Sequence, residues 1–201
     1  LWHPAELSVA LAGLSLAIAT AIGVALMVDS FRVDFSQMLD HRLKYDLIAQ
    51  GDKTALNTFA NTNMPTTLTD RIQVYRNTDI RVNGLSMELN VTRMDAFESS
   101  RYGYSRSLTI HGILLSEQAA RSLQLSVGDA LTMAGETMTI SGMFSAFGDL
   151  KPRLIVDDRS PLADALAAEL QVDSVAFKSD RPETLVAALR KQFPALELRL
   201  Q

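Results

Sequence analysis

Between Glu6 and Asp29 the chain carries no charged residue, and this stretch, Leu7 to Val28, constrains everything around it. As an α-helix it would be about 33 Å long, enough to cross a hydrocarbon core of about 30 Å. A secretion signal opens on basic residues and has a shorter apolar run. Here the first residues are Leu1-Trp2-His3-Pro4-Ala5-Glu6, without Lys or Arg. A core helix apolar on every face needs a larger protein around it. Residues 1–28 are therefore read as a transmembrane helix. Within it Gly13, Ala17, Ala21 and Ala25 recur every fourth position and share one face. Small residues at that spacing let another helix backbone approach closely, so this face is expected to pack in a multi-helix membrane bundle. Orientation is not readable from charge, because Asp29, Asp34, Asp40 and Asp46 are interleaved with Arg32, Arg42 and Lys44. The start without Met reads as a piece of a longer polytopic protein.

After Val28 the pattern turns amphipathic. Phe31, Phe35, Met38, Leu39, Leu43 and Leu47 follow helical spacing, and neither Pro nor Gly occurs between Gly23 and Gly51. The expectation is one continuous helix running on as a stalk over residues 29–50. Gly51-Asp52-Lys53 then breaks it, ahead of a short helix near Thr54–Thr62 and a loop over Asn61–Thr67.

Strand patterns follow. Ile72 and Val74 alternate with Arg71, Gln73 and Tyr75. Ile80 and Val82 lead into an Asn83-Gly84 turn, and Leu85, Met87, Leu89 and Val91 alternate on its far side. These predict an antiparallel meander. Glu98–Ser107 is polar and contains Gly103, and is read as an exposed loop. Leu108–Leu115 reads as a strand, Ser116 as the N-cap of a helix over Glu117–Leu123, and Ala130–Met133 with Thr137–Ser141 as a hairpin that Met143–Phe147 extends. The last third alternates β-α-β-α-β: strand Leu154–Asp157, a Ser160-capped helix carrying Leu162, Leu166 and Leu170, strand Val172–Lys178, a helix boxed by Asp180 and Glu183, and strand Leu196–Leu200. The fold class expected is α+β: an α/β subdomain at 51–84 and 150–201, with a β-rich subdomain at 85–149 inserted into it.

No chemistry is evident. The chain of 201 residues has no cysteine and three histidines, which removes thiolate metal sites and Cys nucleophiles. Its formal net charge of −4 offers no nucleic-acid footprint. No phosphate-cradling Gly-rich loop is present. His41 with Asp40 and Asp46 lies on different helix faces, so no metal is expected. Ser116, His111 and Asp149 lack a nucleophile elbow, and Ser116 is better explained as a cap. Asn90-Val91-Thr92 matches a glycosylation sequon inside a strand pattern and is read as coincidental. No catalytic, cofactor-binding or metal residue is assigned. Arg101, Tyr102, Tyr104 and Arg106 form an aromatic and basic cluster of the kind favoured at protein interfaces, set against the plainer reading of an ordinary polar loop.

Asp29-Ser30-Phe31-Arg32 closing the membrane helix, followed by Leu39-Asp40-His41-Arg42-Leu43 and Asp46, resembles the start of the stalk in FtsX-like ABC transporter permeases. Ile113-Leu114-Leu115-Ser116-Glu117, Ala119-Ala120, Leu123, Leu125 and Val127-Gly128-Asp129 resemble a segment of that family's extracytoplasmic domain. Gly142 to Gly148 and the strand to Asp157 continue the likeness, which is strongest to the second such domain of long, two-domain permeases. The resemblance implies a MacB-like periplasmic core domain with Porter-like (51–84, 150–201) and Sabre-like (85–149) subdomains. It implies a bacterial inner-membrane permease with its domain in the periplasm. That permease would pair with a second copy or a paralogue and be driven by a separate cytoplasmic ABC ATPase, moving lipophilic or protein cargo or acting on periplasmic partners. It supplies no catalytic residue. That no second membrane helix follows Gln201 departs from the family pattern and again reads as a fragment. The alternative is the extracytoplasmic ligand-binding domain of a membrane signalling receptor; a membrane-anchored hydrolase lacks a constellation to support it.

Overall fold

The computed structural model describes residues 4–42, 44–62, 66–146 and 149–201. It divides into two compact units after Arg42. The first is a single helix, α1 (Pro4–Arg42). Its stretch Leu11–Val33 is long and apolar enough to cross a membrane, and none of it is buried against protein. The hydroxyls of Ser15 and Thr20 donate to the carbonyls of Leu11 and Leu16, each at 2.8 Å, so these polar groups are satisfied inside the helix. Phe31 and Phe35 stack at 5.9 Å on its exposed surface. Met38, Leu39, Asp40, His41 and Leu43, which complete the expected stalk pattern, lie outside the residues described at side-chain level.

The helix ends earlier than the expected residue 50. Leu47–Gly51 is a strand, β1. Leu43 and Leu47 fit a helical stripe, but Leu47 and Ala49 are buried and alternate with half-buried Ile48 and Gln50, the period of a strand. Tertiary burial decides between the two patterns. Asp52 caps helix α2 (Lys53–Ala60) by accepting from the Thr54 N–H at 3.0 Å. Of the expected loop over Asn61–Thr67, residues 63–65 lie outside the described residues.

β2 (Arg71–Val82) and β3 (Leu85–Thr92) form the expected hairpin. Asn83 (φ 49°) and Gly84 (φ 84°) both take the left-handed conformation, as a two-residue I′ turn demands. A short turn of helix, α3 (Ala96–Ser99), precedes β4 (Gly112–Ser116). The expected start of that strand at Leu108 is too early: the Gly112 N–H turns back to the Thr109 carbonyl at 2.9 Å. Ser116 caps α4 (Glu117–Leu123). β5 (Ala130–Met133) and β6 (Glu136–Phe144) follow, joined at Ala134-Gly135, and Phe147 of the proposed extension lies outside the described residues. Then come β7 (Arg153–Asp157), the short helix α5 (Pro161–Ala165) capped by Ser160, β8 (Gln171–Lys178), α6 (Pro182–Gln192) and β9 (Leu196–Leu200). The expected cap of α6 at Asp180 is replaced by Arg181, which makes no side-chain cap bond. A residue before proline is driven out of the helical region, so Arg181 (φ −134°) stays outside and Pro182 becomes the first helical residue.

Among the described residues, strands β1 to β9 join one mixed sheet in the order β5-β6-β4-β7-β3-β2-β8-β1-β9, with β3–β7 and β4–β6 parallel. One large cluster of buried side chains joins Leu47, Phe59, Val175, Phe177, Leu185 and Leu189. A second joins Met87, Leu89, Ile113, Leu115, Met138, Ile140, Leu154, Val156 and Leu162. β7 and α5 thus pack with the strands of 85–149, not with the ends of the chain. A third, smaller cluster of Met94, Leu108, Leu114, Phe144 and Ile155 is separate from both. Leu114 alternates with Ile113 and Leu115, and Ile155 with Leu154 and Val156, so the third cluster occupies the opposite face of the sheet.

Candidate functional site

Of the expected exposed loop Glu98–Ser107, Gly103, Ser105, Arg106 and Ser107 are exposed, but Glu98 and Ser99 are buried, and residues 95–107 form one segment. They form a closed loop whose base is pinned twice. The Leu108 N–H donates to the Met94 carbonyl at 2.9 Å. The Met94 N–H donates to Asp157 Oδ2 at 2.8 Å. The Asp157 carboxylate is fully buried and also receives Arg159 Nε at 2.7 Å and Arg159 N at 3.0 Å. Burial alone would raise the Asp157 carboxyl, but the donors from Arg159 and Met94 outweigh it and hold it below the usual carboxylate range.

Glu98 is the centre of the site, with none of its surface exposed. Asp95 Oδ1 caps α3 by accepting the Glu98 N–H at 2.9 Å, which turns the Glu98 side chain down onto the sheet. Its Oε2 accepts from Tyr45 OH at 2.8 Å. Its Oε1 accepts from Tyr75 OH at 3.0 Å and from Arg101 Nη1 at 2.9 Å. Arg101 also donates to Tyr75 OH, and its guanidinium lies 5.2 Å from the Tyr45 ring centroid. Arg71 donates to Tyr45 OH at 3.2 Å and pairs with Asp95. Three cations ring Phe97: Arg71 at 4.7 Å, Lys44 at 5.3 Å and Lys178 at 5.5 Å from the centroid. Lys44 further donates to Ser100 Oγ. The strands explain the convergence. Arg71, Gln73 and Tyr75 alternate with the core residues Ile72 and Val74, so they project from the face of β2 that this loop covers.

A buried carboxylate is costly unless paired and hydrogen-bonded, and Glu98 meets that condition with three donors. Burial, and next the Glu98 charge, push both tyrosine hydroxyls well above the ordinary phenol range, so they remain donors throughout ordinary pH. The Arg101 guanidinium is pushed further up by the Glu98 charge in spite of its own burial. Every strong group here is engaged with another protein group, and the arrangement is suited to holding chain segments together.

The sequence-derived candidates fall in several places. Arg101 turns inward into this knot. Tyr102 packs edge-on against Phe144 at 5.4 Å, and Tyr104 is half-buried beside the same cluster. Arg106 is exposed. Gly13, Ala17, Ala21 and Ala25 line one open, shallow face of α1 together with Leu16, Thr20 and Val24. Ser116 is fully buried; its Oγ accepts the N–H of Ala119 at 3.3 Å and of Arg153 at 3.0 Å. Asp149 pairs with Arg153 at 3.2 Å. Asp46 accepts the Ser179 N–H at 2.9 Å, and the His41 side chain lies outside the description. Among the described residues no His, Asp or Glu group is arranged to hold a metal. Asn90 of the sequon sits inside β3 and donates to Glu88 at 3.0 Å. Glu98, Tyr45, Tyr75 and Arg71 are the residues that sequence reasoning missed. The available signal was the polar alternation of β2, which reads equally well as a solvated face.

No family model matches the chain, and no curated protein matches it in sequence. Among solved structures, the periplasmic region of MacB from Actinobacillus actinomycetemcomitans matches with a TM-score of 0.53 at 12% identity, over 81% of this chain and 91% of that one. The extracellular domain of the ABC-type transporter YknZ from Gram-positive bacteria matches with a TM-score of 0.46 at 9% identity, over 77% and 98% of the two chains. At this identity the MacB likeness shows the fold: the chain has the α+β architecture of a MacB-like periplasmic domain.

Proposed function

We propose that this chain is the extracytoplasmic part of an ABC transporter permease, held in the bacterial inner membrane by α1. The observation that carries this is the MacB-like fold borne directly behind a membrane-length helix. A separate cytoplasmic ABC ATPase supplies the energy, and a second permease copy or a paralogue completes the membrane part. The cargo is lipophilic or proteinaceous, or the output is force on a periplasmic partner. The face of Gly13, Ala17, Ala21 and Ala25 suits close helix packing with that second subunit. Arg106, exposed on the closed loop, is the member of the 101–106 cluster best placed to meet a periplasmic partner. A division into two subdomains draws support from the separate large core clusters, although β7 and α5 pack with 85–149 and not with the rest of 150–201.

The helix suggests how motion is passed on. α1 runs unbroken from Pro4 to Arg42. Its nine residues beyond Val33 add about 14 Å of stiff rod at about 1.5 Å per residue. A proline inside a helix removes a backbone bond and kinks it. Phe35→Pro or Met38→Pro is expected to leave membrane insertion and domain folding intact while abolishing ATP-driven transport by the assembled system. Transport at the wild-type rate through such a kink would contradict the rod.

A further inference from the structure

We propose that residues 95–107 are a latch that opens as one piece about the Met94–Leu108 base, and that Tyr45 holds it shut. This goes beyond the permease reading and stands or falls without it.

Three observations carry the inference. First, the loop is fastened through one buried, hydrogen-bonded carboxylate. Glu98 is wholly buried and its carboxylate bonds span three segments: Tyr45 before β1, Tyr75 in β2 and Arg101 in the loop itself. A buried carboxylate that keeps only some of its partners is poorly stable, so the fastening releases all at once and not by degrees. Second, the apolar surface under the loop is self-contained. Leu114, Ile155 and Phe144, with Met94 and Leu108 from the base, form a cluster apart from the two main cores and on the other face of the sheet. The loop can therefore lift and leave both main cores packed. Third, the base stays tied when the knot is undone. The Met94–Leu108 bond and the Asp157 carboxylate on the Met94 N–H do not involve Glu98. Compact loops with close ends, packed by their own side chains, are well suited to such hinged opening.

Tyr45 gives the latch its control point. It follows Arg42, the last residue of α1, by three positions, and Lys44 beside it donates to Ser100 of the loop. Tension or rotation carried along the chain from the helix acts on these two residues before it reaches β1. Withdrawing the Tyr45 hydroxyl removes a donor from Glu98 and at the same time the oxygen on which Arg71 is seated. Opening uncovers Leu114, Ile155 and Phe144 beside the polar face of β2 and β3.

Amide hydrogen exchange of the full chain in detergent micelles tests this. In Tyr45→Phe, and separately in Glu98→Gln, the amides of residues 96–107 are expected to exchange roughly tenfold faster or more, the effect of losing one hydrogen bond to a charged buried group. Those of 112–116 and 153–157 keep their wild-type rates. Phe144→Leu, which loosens only the far end, is expected to accelerate 96–101 together with 104–107. Unchanged rates over 96–107 in Tyr45→Phe and Glu98→Gln would overturn the proposal. So would acceleration confined to 44–50, acceleration spread equally into 112–116 and 153–157, or a Phe144→Leu effect limited to 104–107.

Discussion

Asp157 shows how single side chains fix this fold. Its buried carboxylate ties the end of β7 to the Met94 N–H, and Arg159 closes over it. Because these donors hold its folded pKa below the unfolded value of about 3.9, the unfolded chain takes up the proton first as the solution is acidified. The stability contributed is present above about pH 4 and is lost as pH falls through the lower folded value. Asp95, held low by the Glu98 N–H and Arg71 against its own partial burial, acts in the same direction. The thermal midpoint is expected to be flat between about pH 5 and 7 and to fall below about pH 4. Asp157→Asn should melt lower at neutral pH and show a shallower acid limb; parallel acid limbs for variant and wild type would remove Asp157 from the account. At this scale the sequence is legible wherever the partner is local. Ser116 and Ser160 are recognisable as caps because the N–H groups they accept lie three residues on. Glu98 is not recognisable, because beyond Arg101 three residues on, its partners Tyr45 and Tyr75 are brought to it only by the folded sheet.

The elements divide in the same way. The two-residue hairpin turn at Asn83-Gly84 is written locally, with both residues at positive φ. β1 is not: Phe31 to Leu47 continue a helical stripe, and nothing local stops the helix before Gly51. What makes Leu47–Gly51 a strand is its place between β8 and β9, where Leu47 faces Phe177 on one side and Leu200 on the other. A test follows from the strand period. Leu47→Asp places a charge in the core beside Phe177 and is expected to prevent folding of the domain. Ile48→Thr, on the half-buried face, should stay within about 1 kcal/mol of wild type. A cooperative, wild-type-like melt of Leu47→Asp would mean that the position is not in a core. The order of the nine strands was likewise not readable, since its two parallel pairings join strands far apart in the chain.

At the scale of the whole molecule, an apolar helix and a sheet domain divide the work. Over Leu11–Val33 the helix has no surface buried against protein, and it offers a face of small residues. The domain holds Glu98 and Asp157 in buried, hydrogen-bonded pairings. The most direct measurement is affinity purification of the protein from native membranes in mild detergent, with identification of what accompanies it. The account predicts an ABC-type ATPase subunit in fixed ratio, retained when ATP hydrolysis is blocked. A histidine kinase or chemotaxis protein in its place, with no ATPase, would contradict it and assign the domain to a receptor.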